Sequence, residues 1–121
     1  MTLAQHLARV RNADLFLDTY HYNGHATTSD TLLAGVPGIT CLGDAFPGRV
    51  AASLLRAVGL PELVTDTLAS YEALAIRLAG DPGRVRALRD KLAANRGREP
   101  LFDASAFARR LEDLYAKMAG R

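Results

Sequence analysis

The sequence predicts an α/β protein built on a partial parallel sheet of about three strands, with helices between them and a helical C-terminal tail. Three observations carry that expectation. Short apolar runs alternate with segments of helical spacing. Each run is followed by a polar or glycine-containing loop. From Ser70 onward only helical patterning remains. Strand–helix–strand order is that of a parallel sheet with crossover helices. A doubly wound nucleotide fold has about six strands, so this chain carries roughly half a sheet.

The first strand is expected at Ala13-Asp14-Leu15-Phe16-Leu17-Asp18, a mostly apolar run that ends in polar residues. Thr19 to Asp30, rich in Asn, Gly, His and Thr, reads as a loop. A short helix should follow through Thr31-Leu32-Leu33-Ala34 and stop at Gly35 and Pro37. Gly38-Ile39-Thr40-Cys41-Leu42 is the second strand, and Gly43 to Pro47 another loop. Val50, Leu54, Leu55 and Val58 recur at helical spacing up to Gly59, and Leu63-Val64-Thr65 makes a brief third strand. Tyr71, Leu74 and Leu78 mark the next helix, ended by Gly80. Asp81 and Pro82 open another as N-cap and first-turn proline, lined by Val85, Leu88 and Leu92 up to about Gly97. Asp103 caps the last helix, whose Phe107, Leu111, Leu114 and Met118 stripe is expected to close over the sheet as core.

Composition bounds the class. The 121 residues are 49% hydrophobic, which fits a single domain over 1–121, burying roughly two-thirds of its extended surface. No apolar run is long enough for a transmembrane helix, and residues 1–11 lack a signal-peptide layout. The one cysteine, Cys41, cannot form an internal disulfide; the expected location is cytoplasmic. Net charge is +2, with ten basic and six acidic residues after position 80. Interleaved acids and sparse aromatics make that tail a solvated face, and nucleic-acid binding is not expected.

The segment Asn23-Gly24-His25-Ala26-Thr27-Thr28-Ser29-Asp30 lies where ligands bind in open α/β sheets, beyond the carboxyl end of a strand. Gly24 permits a sharp turn or a positive φ. A helix start directs free N–H groups outward with a partial positive charge. Backbone donors from Ala26 to Thr28, the threonine hydroxyls and the His25 ring are therefore suited to a diphosphate, and Asp30 to ribose hydroxyls. Thr27 and Asp30 also have the spacing of a capping box, which needs no ligand, and His25 could bond a loop carbonyl. Local chemistry leaves both readings open.

The blocks Ala-Asp-Leu-Phe-Leu-Asp-Thr, Tyr-Asn-Gly-His, Thr-Thr-Ser-Asp, Leu-Leu-Ala-Gly-Val-Pro and Gly-Arg-Val-Ala-Ala-Ser-Leu, in that order, closely resemble the O-linked N-acetylglucosamine transferases. That family includes bacterial members carrying tetratricopeptide repeats. The resemblance runs from about His6 to Met118. It implies the C-terminal half of a GT-B type, two-Rossmann fold, a UDP-sugar donor (UDP-N-acetylglucosamine) and a Ser or Thr acceptor on protein. It places His25 and the threonines after it at the pyrophosphate, Asp30 at the ribose, and His6 and Arg9 near the uracil ring. Two residues depart from the family: Ala26 stands where a threonine is usual, and Leu3 where some members have a lysine.

The acceptor-side domain, the first half of the nucleotide domain and the repeats have no counterpart here. The resemblance therefore implies no catalytic residue in this stretch, no cofactor beyond the donor substrate, and no transfer by the isolated chain. Arg49 opens a helix near the ligand end and either reaches the nucleotide or sugar or pairs with Asp44 or Asp18. Tyr20 and Tyr22 frame the pocket or pack on the sheet edge. His6, His21, His25 and Cys41 have no recognised metal spacing. The alternative to donor binding is a noncatalytic assembly module, with an unpaired first strand offering an edge for a homodimer.

Overall fold

The computed structural model describes residues 2–96 and 103–120. Three parallel strands, β1 (Phe16–Leu17), β2 (Gly38–Cys41) and β3 (Val64–Thr65), pair in the order β1-β2-β3. Phe16 lies opposite Gly38 and Leu17 opposite Ile39; Thr40 faces Val64 and Cys41 faces Thr65. Helices α1 (Leu3–Val10), α2 (Ala26–Leu33), α3 (Val50–Ala57), α4 (Leu68–Ala79), α5 (Pro82–Asn95) and α6 (Ala104–Met118) complete the described elements, with 3-10 turns at Phe46–Gly48 and Pro61–Leu63. The expected three-strand α/β sheet and C-terminal helix are present. No helix among the described residues is long and apolar enough to cross a membrane.

Central strand β2 is buried at every position and is contacted by α2, α3 and α4. Around it, Leu32, Ile39, Leu55, Val58, Leu60, Leu63, Leu78, Val85, Leu88 and Leu92 form one core. Burying a Leu, Ile or Val fully is worth roughly 1.5–3 kcal/mol each, so this cluster and not strand propensity holds a sheet with two strands of only two residues. Cys41 is buried, as its strand position suggests.

Helix ends follow local chemistry. Both α2 and α3 stop in the same six-residue closure. The Val36 N–H donates to Thr31 O and the Gly35 N–H to Leu32 O; the Leu60 N–H donates to Leu55 O and the Gly59 N–H to Arg56 O. That closure needs a left-handed residue, supplied by Gly35 (φ 89°) and Gly59 (φ 81°). Asp81 and Asp103 accept from the Arg84 and Ala106 amides, capping α5 and α6. Two arginines of α5 are committed to the fold. Arg89 donates to Ala13 O and Arg11 O, and Arg96 to Leu33 O at the end of α2.

Several expectations are corrected. The first strand is Phe16–Leu17 rather than 13–18, since only these residues face β2 in register. Leu63 belongs to a 3-10 turn that delivers the chain to β3. Helix α1 was not anticipated, although Thr2 and Gln5 form a reciprocal capping box at its start. The α6 stripe is not core: Phe107, Leu114 and Met118 are 64%, 55% and 82% exposed. An apolar stripe defines a face that prefers cover, not the element that covers it. Gly97, the expected end of α5, lies outside the described residues.

Replacing Gly59 by alanine forces a Cβ into the left-handed region. The expected loss is about 1–2 kcal/mol, measured by urea denaturation; Gly80→Ala, at φ −89°, should be close to neutral.

Candidate functional site

The loop between β1 and α2 is built on the last residue of the first strand run. Asp18 is buried, and both carboxylate oxygens are used: the Gly24 N–H donates to Oδ1 at 2.9 Å and the Thr40 hydroxyl to Oδ2 at 2.7 Å. The Tyr71 hydroxyl donates to the Asp18 carbonyl at 2.7 Å. Thr65 extends the chain of bonds by donating to the Thr40 carbonyl, also at 2.7 Å. The carboxylate joins the loop after β1 to β2, while α4 reaches the same residue's carbonyl and β3 reaches Thr40, a network no sequence motif signalled.

Asn23 is the second anchor. Its Nδ2 donates to Thr19 O, its backbone N–H to Pro47 O, and its Oδ1 accepts from the Ala51 N–H. Ala51 lies in the first turn of α3, whose N-cap Arg49 makes no side-chain cap. Asn23 therefore satisfies an orphan helix donor from across the site. Its side chain is only 1% exposed, so the amide is used inside the protein. Gly48 completes the clamp: a Cβ there would lie 3.0 Å from both the Gly43 Cα and the His21 carbonyl. His21 itself stands at φ 72°, a strained conformation for a residue with a Cβ.

The expected loop through Asp30 ends earlier. Helix α2 begins at Ala26 with His25 as N-cap, so Ala26, Thr27, Thr28 and Asp30 are all helical. The Thr27–Asp30 capping box does not form, because both residues lie past the helix start. Gly24 is required for space and not for a positive φ: a Cβ would sit 2.9 Å from Thr28 Oγ1. His25 bonds no loop carbonyl. Its Nε2 and the hydroxyl of Thr28 are buried without a hydrogen-bond partner. Such atoms normally cost stability, and they call for an explanation where they occur together.

Around this helix start the other residues fall as follows. Helix α1 packs on α2 and brings His6 Nε2 to 3.6 Å from Asp30 Oδ2, an ion pair when the ring is protonated. Arg9 Nη2 lies 3.4 Å from His6 Nδ1. Leu3 is exposed on the same helix. Arg49 donates to Gly43 O instead of pairing with Asp44 or Asp18. Tyr22 does not pack on the sheet edge; it is 65% exposed and stacks on His25, centroids 5.1 Å apart and planes 14° apart. Phe46 meets the same imidazole edge-on at 6.1 Å, and Tyr20 tilts against His21. The structure thus gathers His25, Ala26, Thr27 and Thr28 at one helix start, sets His6, Arg9 and Asp30 alongside, and leaves Asn23 and Gly24 as the frame.

With this geometry established, comparison with known proteins identifies the family. The profile of glycosyl transferase family 41 matches residues 2–111. The chain belongs to glycosyl transferase family 41. It is 38% identical over 114 residues to a UDP-N-acetylglucosamine–peptide N-acetylglucosaminyltransferase of Caenorhabditis elegans, covering 94% of this chain and 10% of the relative. It is 40% identical over 116 residues to the "probable UDP-N-acetylglucosamine–peptide N-acetylglucosaminyltransferase SEC" of Arabidopsis thaliana, covering 95% and 12%. A mutant O-GlcNAc transferase of Thermobaculum terrenum superposes with a TM-score of 0.89 at 36% identity, over 98% of this chain and 23% of that one. The family 41 chain therefore spans about a tenth of the length of these curated relatives, and the fold is that of the GT-B type C-terminal half.

Asp18→Ala leaves the Gly24 and Thr40 donors unpaired, and a loss on the order of 3 kcal/mol is expected in denaturation. Tyr71 adds a pH signature. Burial, then the Asp18 charge and Cys41, raise its pKa above the ordinary 10.0. The folded state thus favours the neutral phenol. Its contribution is fully present below pH 10 and lost as pH rises through the folded value. Tyr71→Phe should cost about 1 kcal/mol at pH 8, and the gap to wild type should narrow above pH 10.

Proposed function

We propose that this chain holds the diphosphate and ribose of a UDP-sugar, as the C-terminal portion of the donor-nucleotide domain of a protein O-glycosyltransferase. The observation that carries the reading is the start of α2 beyond the carboxyl end of β1. There the helix presents its free N–H groups, and the His25 Nε2 and Thr28 Oγ1 beside them have no partner among the described residues. A helix N-terminus of this kind suits an anion, and unpaired polar atoms next to it gain when a ligand supplies the missing bond. Ala26 and Thr27, exposed in the first turn, contribute backbone N–H groups; the alanine at 26 costs little if that contact is made by the backbone. Asp30 serves the ribose, with His6 as its partner in the free protein, and His6 with Arg9 borders the base. Arg49 stays committed to the Gly43 carbonyl.

The donor sugar proposed is N-acetylglucosamine, because the relatives are named for UDP-N-acetylglucosamine and peptide. Transfer needs a positioned acceptor and stabilisation of the leaving diphosphate. This chain supplies part of the second, so we propose that it does not transfer sugar alone and acts with an acceptor-side domain.

A second reading, an assembly module, rests on a separate observation. Leu17 on β1 is half-exposed, β1 pairs only with β2 among the described residues, and Leu15 and Leu17 line a groove of about 700 Å³ together with Ala75, Val85, Arg86 and Arg89. An unpaired strand edge of this kind favours pairing with a second copy.

Calorimetric titration with UDP tests the first reading. UDP should bind, AMP should not, and His25→Ala should weaken UDP at least tenfold while the far-UV dichroism is unchanged. Absence of UDP binding by the folded wild-type chain would overturn it. A concentration-dependent dimer in sedimentation would then favour assembly through β1.

A further inference from the structure

The aromatic cluster at the donor loop carries one inference beyond the reading above, and it rests on that reading. Tyr22 and Phe46 come from different loops, one after β1 and one after β2, and converge on the same imidazole. Both side chains are largely exposed, at 65% and 76%, so neither is held there as part of the core. Tyr22 sets a ring face on His25, and Phe46 meets the imidazole in a T-shaped contact. The backbones that carry them are tied together. The Asn23 N–H donates to Pro47 O, and the Gly43 N–H to Gly48 O. The two loops that carry the rings are thereby held side by side at their backbones.

His25 itself gains no polar reward for its position. Its Nε2 is buried and unpartnered, and as N-cap of α2 it makes no side-chain bond to the helix. An imidazole free to rotate would turn that nitrogen to water. The parallel stack of Tyr22, with planes 14° apart, and the edge contact of Phe46 restrain it. We infer that Tyr22 and Phe46 are positioning residues for diphosphate recognition. They hold the His25 ring in one orientation at the helix start, so that the ligand does not have to order it. Tyr22 acts through its ring face, which stacks on the imidazole.

The test compares UDP and uridine affinity, by calorimetry on the full chain, for wild type, Tyr22→Leu, Tyr22→Phe, His25→Ala and the Tyr22→Leu/His25→Ala double variant. Tyr22→Leu should weaken UDP about fivefold and leave uridine within twofold. Tyr22→Phe, which keeps the ring, should restore UDP affinity to within twofold of wild type. In the His25→Ala background Tyr22→Leu should have no further effect, because residues acting through one another are not additive. Histidine ring signals in the nuclear magnetic resonance spectrum should sharpen to free-imidazole positions in Tyr22→Leu alone among the single tyrosine variants. Unchanged UDP affinity in Tyr22→Leu, alongside a loss in His25→Ala, would overturn the positioning role while leaving the donor-site reading intact. Equal losses for UDP and uridine, or additive losses in the double variant, would also overturn it and assign Tyr22 a general structural role. Unchanged UDP affinity in His25→Ala would overturn the donor reading of His25, and the positioning role with it.

Discussion

The site depends on a buried carboxylate with no cation beside it. Among the described residues Asp18 has no ion-pair partner, and it is held by the Gly24 amide and the Thr40 hydroxyl. An unpaired charge in a protein interior is costly unless hydrogen bonds replace the water it loses. Both donors must therefore be in place together, which makes the arrangement closer to all-or-none than a set of separate bonds. The donors come from the loop after β1 and from the middle strand, and the Tyr71 hydroxyl reaches the same residue's carbonyl from α4. Satisfying Asp18 fixes the position of Gly24. Gly24 fixes His25 one residue later, and His25 sets where α2 begins.

Asn23 does for the loop pair what Asp18 does for the sheet. By capping Ala51 and holding Pro47 O it ties the loop after β1 to the turn before α3. The chain between these anchors has little freedom, and His21 is left in a left-handed conformation that only an over-determined loop sustains. Against that economy of bonding, the two orphan atoms at His25 and Thr28 are conspicuous. The described residues leave no other buried side-chain polar atom unmatched, and these two lie beside a helix N-terminus, which is what the proposed diphosphate site draws on. This is the structural basis for reading the segment as a binding loop and not as a simple helix cap.

Sequence patterning revealed the local features and missed the long-range ones. Gly35 and Gly59 as helix stops, and Asp81 and Asp103 as caps, depend on residues within one helical turn. That is the range over which residue identity determines hydrogen bonding. Patterning places the start of α2 five residues late because polar Thr27, Thr28 and Asp30 resemble a loop, whereas they lie on a short helix that packs on α1, β2 and α3. Asp18–Thr40 and Asp18–Tyr71 bridge 22 and 53 positions, and nothing in either residue's neighbours announces the other. The ordered motif blocks located His25, Thr27, Thr28 and Asp30 through family resemblance; the geometry adds that Asn23 and Gly24 are the frame that holds them. The α6 stripe shows the converse limit, since periodicity reported an apolar face correctly and its burial incorrectly.

The open edge of β1 and the donor loop are separable parts of the fold. Among the described residues, the bonds that order the loop are made within it, to β2, to α3 and the turn before it, and to α4. Leu17, which borders the groove, alternates in direction with Phe16 and Asp18, whose amides donate to Pro37 O just before β2 and to Ile39 O within it. Covering that edge with another strand would bury apolar surface and add stability, but it would change no partner of Asp18, Asn23 or Gly24. Order in the loop is thus a property of the three-strand unit itself. The two proposed roles therefore make separate demands on the fold, one on the loop that follows β1 and the other on the strand's unpaired edge.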